Sequence, residues 1–200
     1  LLDLSKIEDE ETLMFLEMLG SSVQKLKSTL NEQLDQLKKS ELLKPGLEAV
    51  NLKEVLQNII SSLGSIIEKS GTIFEIDLSE IGILEVNKFY LHSIFLNLIT
   101  NSIKYSKPGI PPVINIVSQR SETTNQIHFS DNGIGMDMEK NGSKLFELHQ
   151  VFTEHNDSKG IGLYLVKSYM NSLGGEVTVS SKQDIGTTFT LSFPHKTSVR

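Results

Sequence analysis

Residues 95–105 read Phe95-Leu96-Asn97-Leu98-Ile99-Thr100-Asn101-Ser102-Ile103-Lys104-Tyr105. Phe89, Leu91, Ile94, Phe95, Leu98, Ile99 and Ile103 recur at helical spacing between Asn87 and Ser106, which predicts an amphipathic helix. Asn97 and Asn101 are four residues apart, hence on one face of it. Two amides on an otherwise apolar helix are costly to bury without partners. They could cap neighbouring backbone groups. Alternatively they mark a site, since an amide oxygen is a neutral ligand suited to Mg²⁺, which keeps waters and takes most of its charge from nucleotide phosphates. Lys104, on the next turn, could then reach a phosphate as a point charge.

Three glycine turns lie downstream. Asp131-Asn132-Gly133-Ile134-Gly135-Met136-Asp137 follows a strand, Ser158-Lys159-Gly160-Ile161-Gly162-Leu163 opens a helix, and Gly186-Thr187-Thr188-Phe189 begins a late strand. Glycine allows close backbone approach, and a glycine turn at a helix N-terminus offers free N–H groups to an anion. Any one of these turns is a weak signal on its own; their order after the Asn97/Asn101 helix is informative. No Gly-x4-Gly-Lys-Ser/Thr stretch occurs, so this is not a P-loop.

Around these motifs the pattern alternates between strands and helices. Asn51 with Glu54 makes a capping-box start for one helix running to Gly71. Thr72–Leu78 and Ile83–Val86 read as strands, as do Val113–Ser118 and Gln126–Ser130. A helix spans Leu163–Leu173, and Glu176–Ser181 with Thr187–Phe193 makes a final hairpin. Pairs of strands alternating with long helices predict an α/β (α+β) sandwich, a mixed sheet with helices on one face. Residues 137–159 are polar, with Phe146 and Phe152 as isolated apolar anchors expected to pack against the domain. The tail after Pro194 is expected to be loose.

With these motifs in this order, residues 48–194 resemble the ATP-binding domain of sensor histidine kinases, a fold shared with type II topoisomerase ATPase domains, large heat-shock chaperones and mismatch-repair ATPases. Phe95–Tyr105 is similar to the N box, Asp131–Asp137 to the G1 box, Phe146–Phe152 to the F box, Ser158–Leu163 to the G2 box and Gly186-Thr187 to the last glycine motif. The resemblance implies ATP and Mg²⁺ as ligands. Asn101 would hold Mg²⁺ and Asn97 would line the phosphate side, with Lys104 and Tyr105 flanking the nucleotide. Asp131 would accept the adenine amino proton, helped through water by Thr187. Gly133 and Gly135 would admit the base and ribose. Lys159, Gly160, Gly162 and Leu163 would hold the phosphates at a helix start, and residues 138–159 would form an ATP lid. A carboxylate facing an exocyclic amine selects adenine over guanine, whose carbonyl it would repel. A departure stands at Ser158, where G2 boxes usually carry glycine; it bears on the lid's conformation.

Residues 8–42 carry Leu16, Leu19, Val23, Leu26, Leu30, Leu34 and Leu37 in steps of three and four, a narrow apolar seam that needs a partner helix. Leu43-Lys44-Pro45-Gly46 breaks it. The expected division is therefore 1–44, a partial antiparallel helical hairpin; 45–195, the ATP-binding domain; and 196–200, a tail. The hairpin resembles the dimerisation and histidine-phosphotransfer domain of histidine kinases, which distinguishes this branch from chaperones and topoisomerases. It implies a homodimer through a four-helix bundle and a response regulator receiver domain as partner. The phosphoacceptor histidine and its acidic neighbour are expected upstream of Leu1, in a longer parent. His92, His128, His149, His155 and His195 are the five histidines, and none stands in such a setting. The expectation is thus the nucleotide-positioning part of a kinase with its nucleophile elsewhere. The alternatives are a nucleotide-responsive binding module without kinase activity, and a chaperone- or topoisomerase-type ATPase. The last is disfavoured because Ser93, Ile94 and Phe95 offer no hydrolytic base.

Composition sets limits without deciding among these. The 200 residues carry net charge −6, 38% apolar and 22% charged residues, and no cysteine. This excludes disulfide scaffolds, thiolate metal sites and cysteine nucleophiles, and argues against broad nucleic-acid binding. No run approaches the roughly 20 apolar residues of a membrane span. A cytoplasmic domain without membrane contact is expected, with attachment of the parent left open.

Overall fold

The computed structural model describes residues 46–142, 145–146 and 161–195. The expected hairpin over 1–44, most of the expected lid, Ser158, Lys159, Gly160 and the tail 196–200 lie outside the described residues. The chain divides into two units, Leu1–Gly46 and Leu47–Arg200, and nearly all described residues belong to the second.

The second unit runs β1 (Glu48–Asn51), α1 (Leu52–Ser62), α2 (Gly64–Ser70), β2 (Ile73–Asp77), β3 (Ile83–Val86), α3 (Lys88–Lys104), β4 (Val113–Arg120), β5 (Thr124–Asp131), α4 (Met138–Asn141), α5 (Gly162–Ser172), β6 (Glu176–Lys182) and β7 (Gly186–Pro194). Five strands form one mixed sheet in the order β2-β4-β5-β7-β6. β2 and β4 are parallel, and the other neighbours are antiparallel. β1 and β3 form a separate antiparallel ribbon.

The sheet has two unlike faces because its sequence alternates. Ile127, Leu191 and Val177 make one row across β5, β7 and β6, and Phe129, Phe189 and Val179 make the next. With Ile114 and Ile116 of β4 they pack against the buried sides of α1, α3 and α5 in one core. Period-two burial of this kind places one face on a core and leaves the other polar. On the far face His128 bonds to Thr190 and Gln119, Ser130 to Thr188, and Gln126 to Ser192. The expected mixed sheet with helices on one face is therefore what forms. Among the described residues no helix is long and apolar enough to cross a membrane.

The row after Phe129–Phe189–Val179 is Asp131–Thr187–Ser181. At this end of the sheet the apolar core gives way to three polar side chains on the helix-facing side.

Three local expectations need correction. The helix expected from Asn51 to Gly71 is two helices. It breaks at Leu63 (φ −95°, ψ 9°), whose N–H is shared between the Ile59 and Ile60 carbonyls; the following residue, Gly64, is a weak helix former. Gly71, left-handed at φ 66°, ends the second piece as expected. β1 was not expected, because Glu-Ala-Val-Asn is short and buries only Val50; its pairing with β3 is a tertiary effect. His195 is not loose. Its N–H donates to the Thr123 carbonyl at 3.0 Å, and its ring pairs with Asn125 Oδ1 at 3.1 Å.

Asn51 caps α1 by accepting the Glu54 N–H at 3.1 Å. Asn51→Ala should lower the unfolding free energy by about 1 kcal/mol, measured by thermal denaturation, while Asn51→Asp should retain wild-type stability.

Candidate functional site

The polar end of the sheet is built around Asp131. Its Oδ1 accepts the Gly133 N–H at 2.9 Å and the Thr187 N–H at 3.3 Å. Its Oδ2 accepts the Ser102 hydroxyl at 3.1 Å. One amide from the loop after β5, one from β7 and one hydroxyl from α3 thus fix the carboxylate. Burial pushes its pKa above the ordinary aspartate value, partly offset by the Gly133 amide, the Ser102 hydroxyl, the Thr187 amide and the charge of Lys107. The folded chain holds this proton more tightly than the unfolded chain. Stability gained at low pH is lost as pH rises through the raised pKa, and the ionised group is a burden on the fold.

The loop after Asp131 is clamped from two sides. The Tyr105 carbonyl, at the C-terminus of α3, accepts the Ile134 N–H at 3.0 Å, and a Cβ at Gly133 would lie 2.6 Å from that same oxygen. From the β6–β7 turn, Asp184 N–H donates to the Ile134 carbonyl at 2.7 Å, and Met136 N–H donates to Ser181 Oγ at 2.9 Å. Gly135 stands against the Lys182 carbonyl. The protein's own backbone therefore takes the space beside both glycines.

A second group of residues lies further along α3. The Asn97 amide nitrogen donates to the Ser93 carbonyl at 2.8 Å, which leaves its oxygen turned toward α5. A Cβ at Gly162 would lie 2.9 Å from Asn97 Oδ1 and 3.8 Å from Asn101 Nδ2. Only glycine lets the start of α5 come this close to α3. Ile161 at the N-cap supplies no side-chain hydrogen bond, so the first amides of α5, Gly162 and Leu163 among them, carry no side-chain cap. Uncapped amides at a helix start attract anions. Among the described residues the Asn101 side chain takes no hydrogen bond. Nor do three His, Cys, Asp or Glu side chains cluster to hold a metal. A cation here would be bound through a neutral amide and an anionic ligand, not through a carboxylate cage.

The expected site residues thus fall into two groups along one helix. Asn97, Asn101, Gly162 and Leu163 meet at the α3–α5 contact. Gly133 and Thr187 meet at the Asp131 carboxylate, with Tyr105 and Gly135 at the clamped loop beside it. Lys104 is exposed at the end of α3, its Nζ 5.8 Å from the centre of the Tyr105 ring. Lys159 and Gly160 lie outside the described residues. Phe146 packs against the core as expected, with Lys167 over its ring at 5.4 Å.

Sequence reasoning assigned no role to Ser102, Ser181 or Asn132. Ser102 was open to detection: it is the one polar residue among the buried positions of α3. Asn132 braces the loop by accepting the Val113 N–H at 2.9 Å and donating to the Pro111 carbonyl at 3.1 Å. Ser181 gave no signal, because its neighbours depend on strand register.

Comparison with known proteins bears on this geometry. The profile of the family described as histidine kinase-, DNA gyrase B-, and HSP90-like ATPase matches residues 87–197, which includes every expected site residue. The heme sensor protein HssS of Staphylococcus saprophyticus is 31% identical over 144 residues, covering 72% of this chain and 30% of that protein. The autoinducer 2 sensor kinase/phosphatase LuxQ of Vibrio vulnificus is 32% identical over 202 residues, covering 94% of this chain and 23% of that protein. The chain therefore spans about a third or less of the length of these two relatives. In fold it is similar to the histidine kinase AdeS of Acinetobacter baumannii, with a TM-score of 0.69 at 21% identity over 96% of this chain and 88% of that one.

Proposed function

This chain belongs to the histidine kinase-, DNA gyrase B-, and HSP90-like ATPase family, and on that premise we propose that it carries the ATP-binding catalytic domain of a two-component sensor histidine kinase. The observation that carries the reading is the half-buried Asp131 carboxylate, with one oxygen accepting two backbone amides and the other backed by Ser102. A fixed anionic acceptor of this kind suits the exocyclic amine of adenine. Guanine would present a carbonyl to it and be repelled.

Phosphates extending from such a base would run along α3 toward the start of α5. Asn101, whose side chain takes no hydrogen bond among the described residues and stands opposite Gly162, suits a hard cation such as Mg²⁺. Bound Mg²⁺ would supply charge neutralisation on the phosphates. Asn97 would line the phosphate side, Lys104 and Lys159 would add positive charge, and Gly160, Gly162 and Leu163 would offer backbone amides. Tyr105 and the glycines of the 133–135 loop would border the base and ribose. Positioning and charge stabilisation are most of what phosphoryl transfer asks of a protein.

The acceptor histidine lies outside this chain in this reading. Residues 1–44 would pair with a second copy, and the phosphoryl group would pass from the histidine to a response regulator aspartate. The named relatives are sensor proteins and kinases, which supports this route. The working environment would be the cytoplasm, with no nucleic acid or membrane contact by this segment.

Asn101→Ala separates the two halves of the site. Affinity for ATP with Mg²⁺ should fall about tenfold or more, while affinity for ADP without Mg²⁺ should stay within about twofold. Calorimetric titration measures both, and an equal loss would remove Asn101 from the cation site. For the transfer step, γ-labelled ATP is supplied with a second chain bearing a helical hairpin and a His-Glu or His-Asp pair. Label should appear on that histidine and not on this chain; label on one of the five histidines here would overturn the division of roles.

A further inference from the structure

We infer that Ser181, one strand beyond Thr187, sets the hydrogen-bond polarity of the base pocket and thereby tightens its preference for a base presenting an amino group; the inference rests on the adenine reading above.

A serine hydroxyl has one proton to give and two lone pairs to receive with. Ser181 Oγ lies 3.0 Å from the Gly186 carbonyl, which can only accept. The single proton of Ser181 therefore goes there. The Met136 N–H fills one lone pair at 2.9 Å. Thr187 Oγ1 lies 2.9 Å away, and with the serine proton spent, that contact is a bond only if Thr187 donates. The network then closes with every capacity of Ser181 used.

The consequence falls on Thr187, which is 7% exposed and faces Asp131 across the β5–β7 register. Its proton points away to Ser181, so its oxygen is left with lone pairs only. Ser102 spends its own proton on Asp131 Oδ2. Both hydroxyl protons nearest the carboxylate are thus committed within the protein. The nearby Lys107 ammonium is turned to the Ile185 carbonyl at 3.5 Å. The wall offers acceptors to a ligand and withholds hydroxyl donors. An amino group in direct contact finds acceptors there, and a carbonyl in the same place finds no hydroxyl donor. Ser181 is a positioning residue in this scheme: it acts through Thr187 and need not touch the base.

The test compares ATP with inosine triphosphate, which carries a carbonyl where adenine carries its amine. Dissociation constants are measured for the full chain, Ser181→Ala, Ser181→Thr, Thr187→Val and the double variant Ser181→Ala/Thr187→Val. Ser181→Ala frees the Thr187 hydroxyl to turn and donate, so the ATP preference should narrow by about three- to tenfold. Ser181→Thr keeps the hydroxyl and should restore it. In the Thr187→Val background, Ser181→Ala should change the preference no further. If Ser181→Ala weakens both nucleotides equally while wild type still prefers ATP, Ser181 is merely structural and the inference is overturned. If wild type binds neither nucleotide, or both alike, the adenine reading itself fails and takes the inference with it.

Discussion

Asp131→Asn should lose about a hundredfold in ATP affinity, about 2.8 kcal/mol at 1.4 kcal/mol per decade, while melting no lower than wild type. The asparagine oxygen can still accept the Gly133 and Thr187 amides. Its NH₂ group then replaces Oδ2 and aims a donor at the Ser102 hydroxyl and at the base's own amino donor. A charge-assisted hydrogen bond is exchanged for a donor facing a donor. Stability should move the other way, because the carboxylate is ionised at a cost that its raised pKa records; a neutral amide removes that cost at neutral pH. Loss of binding with an unchanged or higher Tm is the mark of a residue kept for function at the fold's expense. Calorimetry and a thermal melt on the same variant decide it. A Tm that falls together with affinity would make Asp131 a structural residue.

The second large effect is expected at Gly186. Its φ of 147° lies where side chains rarely go, and a Cβ there would run into the Asp131 carbonyl. Gly186→Ala must therefore distort the start of β7, where the Thr187 N–H and the carboxylate meet. Backbone strain and overpacking together should cost about 3 kcal/mol, lowering Tm by about 10 °C for a unit of this size, and ATP affinity should fall with it. Gly109→Ala is the control. Gly109 also has a positive φ, 73°, but a Cβ there meets nothing within 4 Å. It should cost about 1 kcal/mol and leave binding unchanged. Equal effects at the two positions would mean that φ alone, not contact with β5, makes Gly186 matter.

These two positions also show how far the sequence could be read. Asp131 was legible because it ends a strand and opens a glycine turn, a local pattern. The α3 helix was legible from its 3.6-residue period, and with it the shared face of Asn97 and Asn101, which the approach of Gly162 places at one contact. The sheet's two faces followed from alternation in β4, β5 and β7. The features that escaped are those fixed by distant partners. β1 exists because β3 lies beside it, and the break at Leu63 is a balance between neighbouring turns. The glycines at 133 and 135 were read as letting the backbone approach the base and ribose; their spacing did not disclose that a Cβ at either would meet the Tyr105 or Lys182 carbonyl. Ser181 and Thr187 are paired by register alone, and no spacing within either strand discloses that their hydroxyls meet.

The most direct test of the adenine pocket is a calorimetric titration of the chain with ATP and with GTP, each with Mg²⁺. One saturable site for ATP, and affinity for GTP at least about tenfold weaker, is the expected result. Equal affinity for the two nucleotides, or no binding of ATP, would contradict the assignment of Asp131 as the base-reading carboxylate.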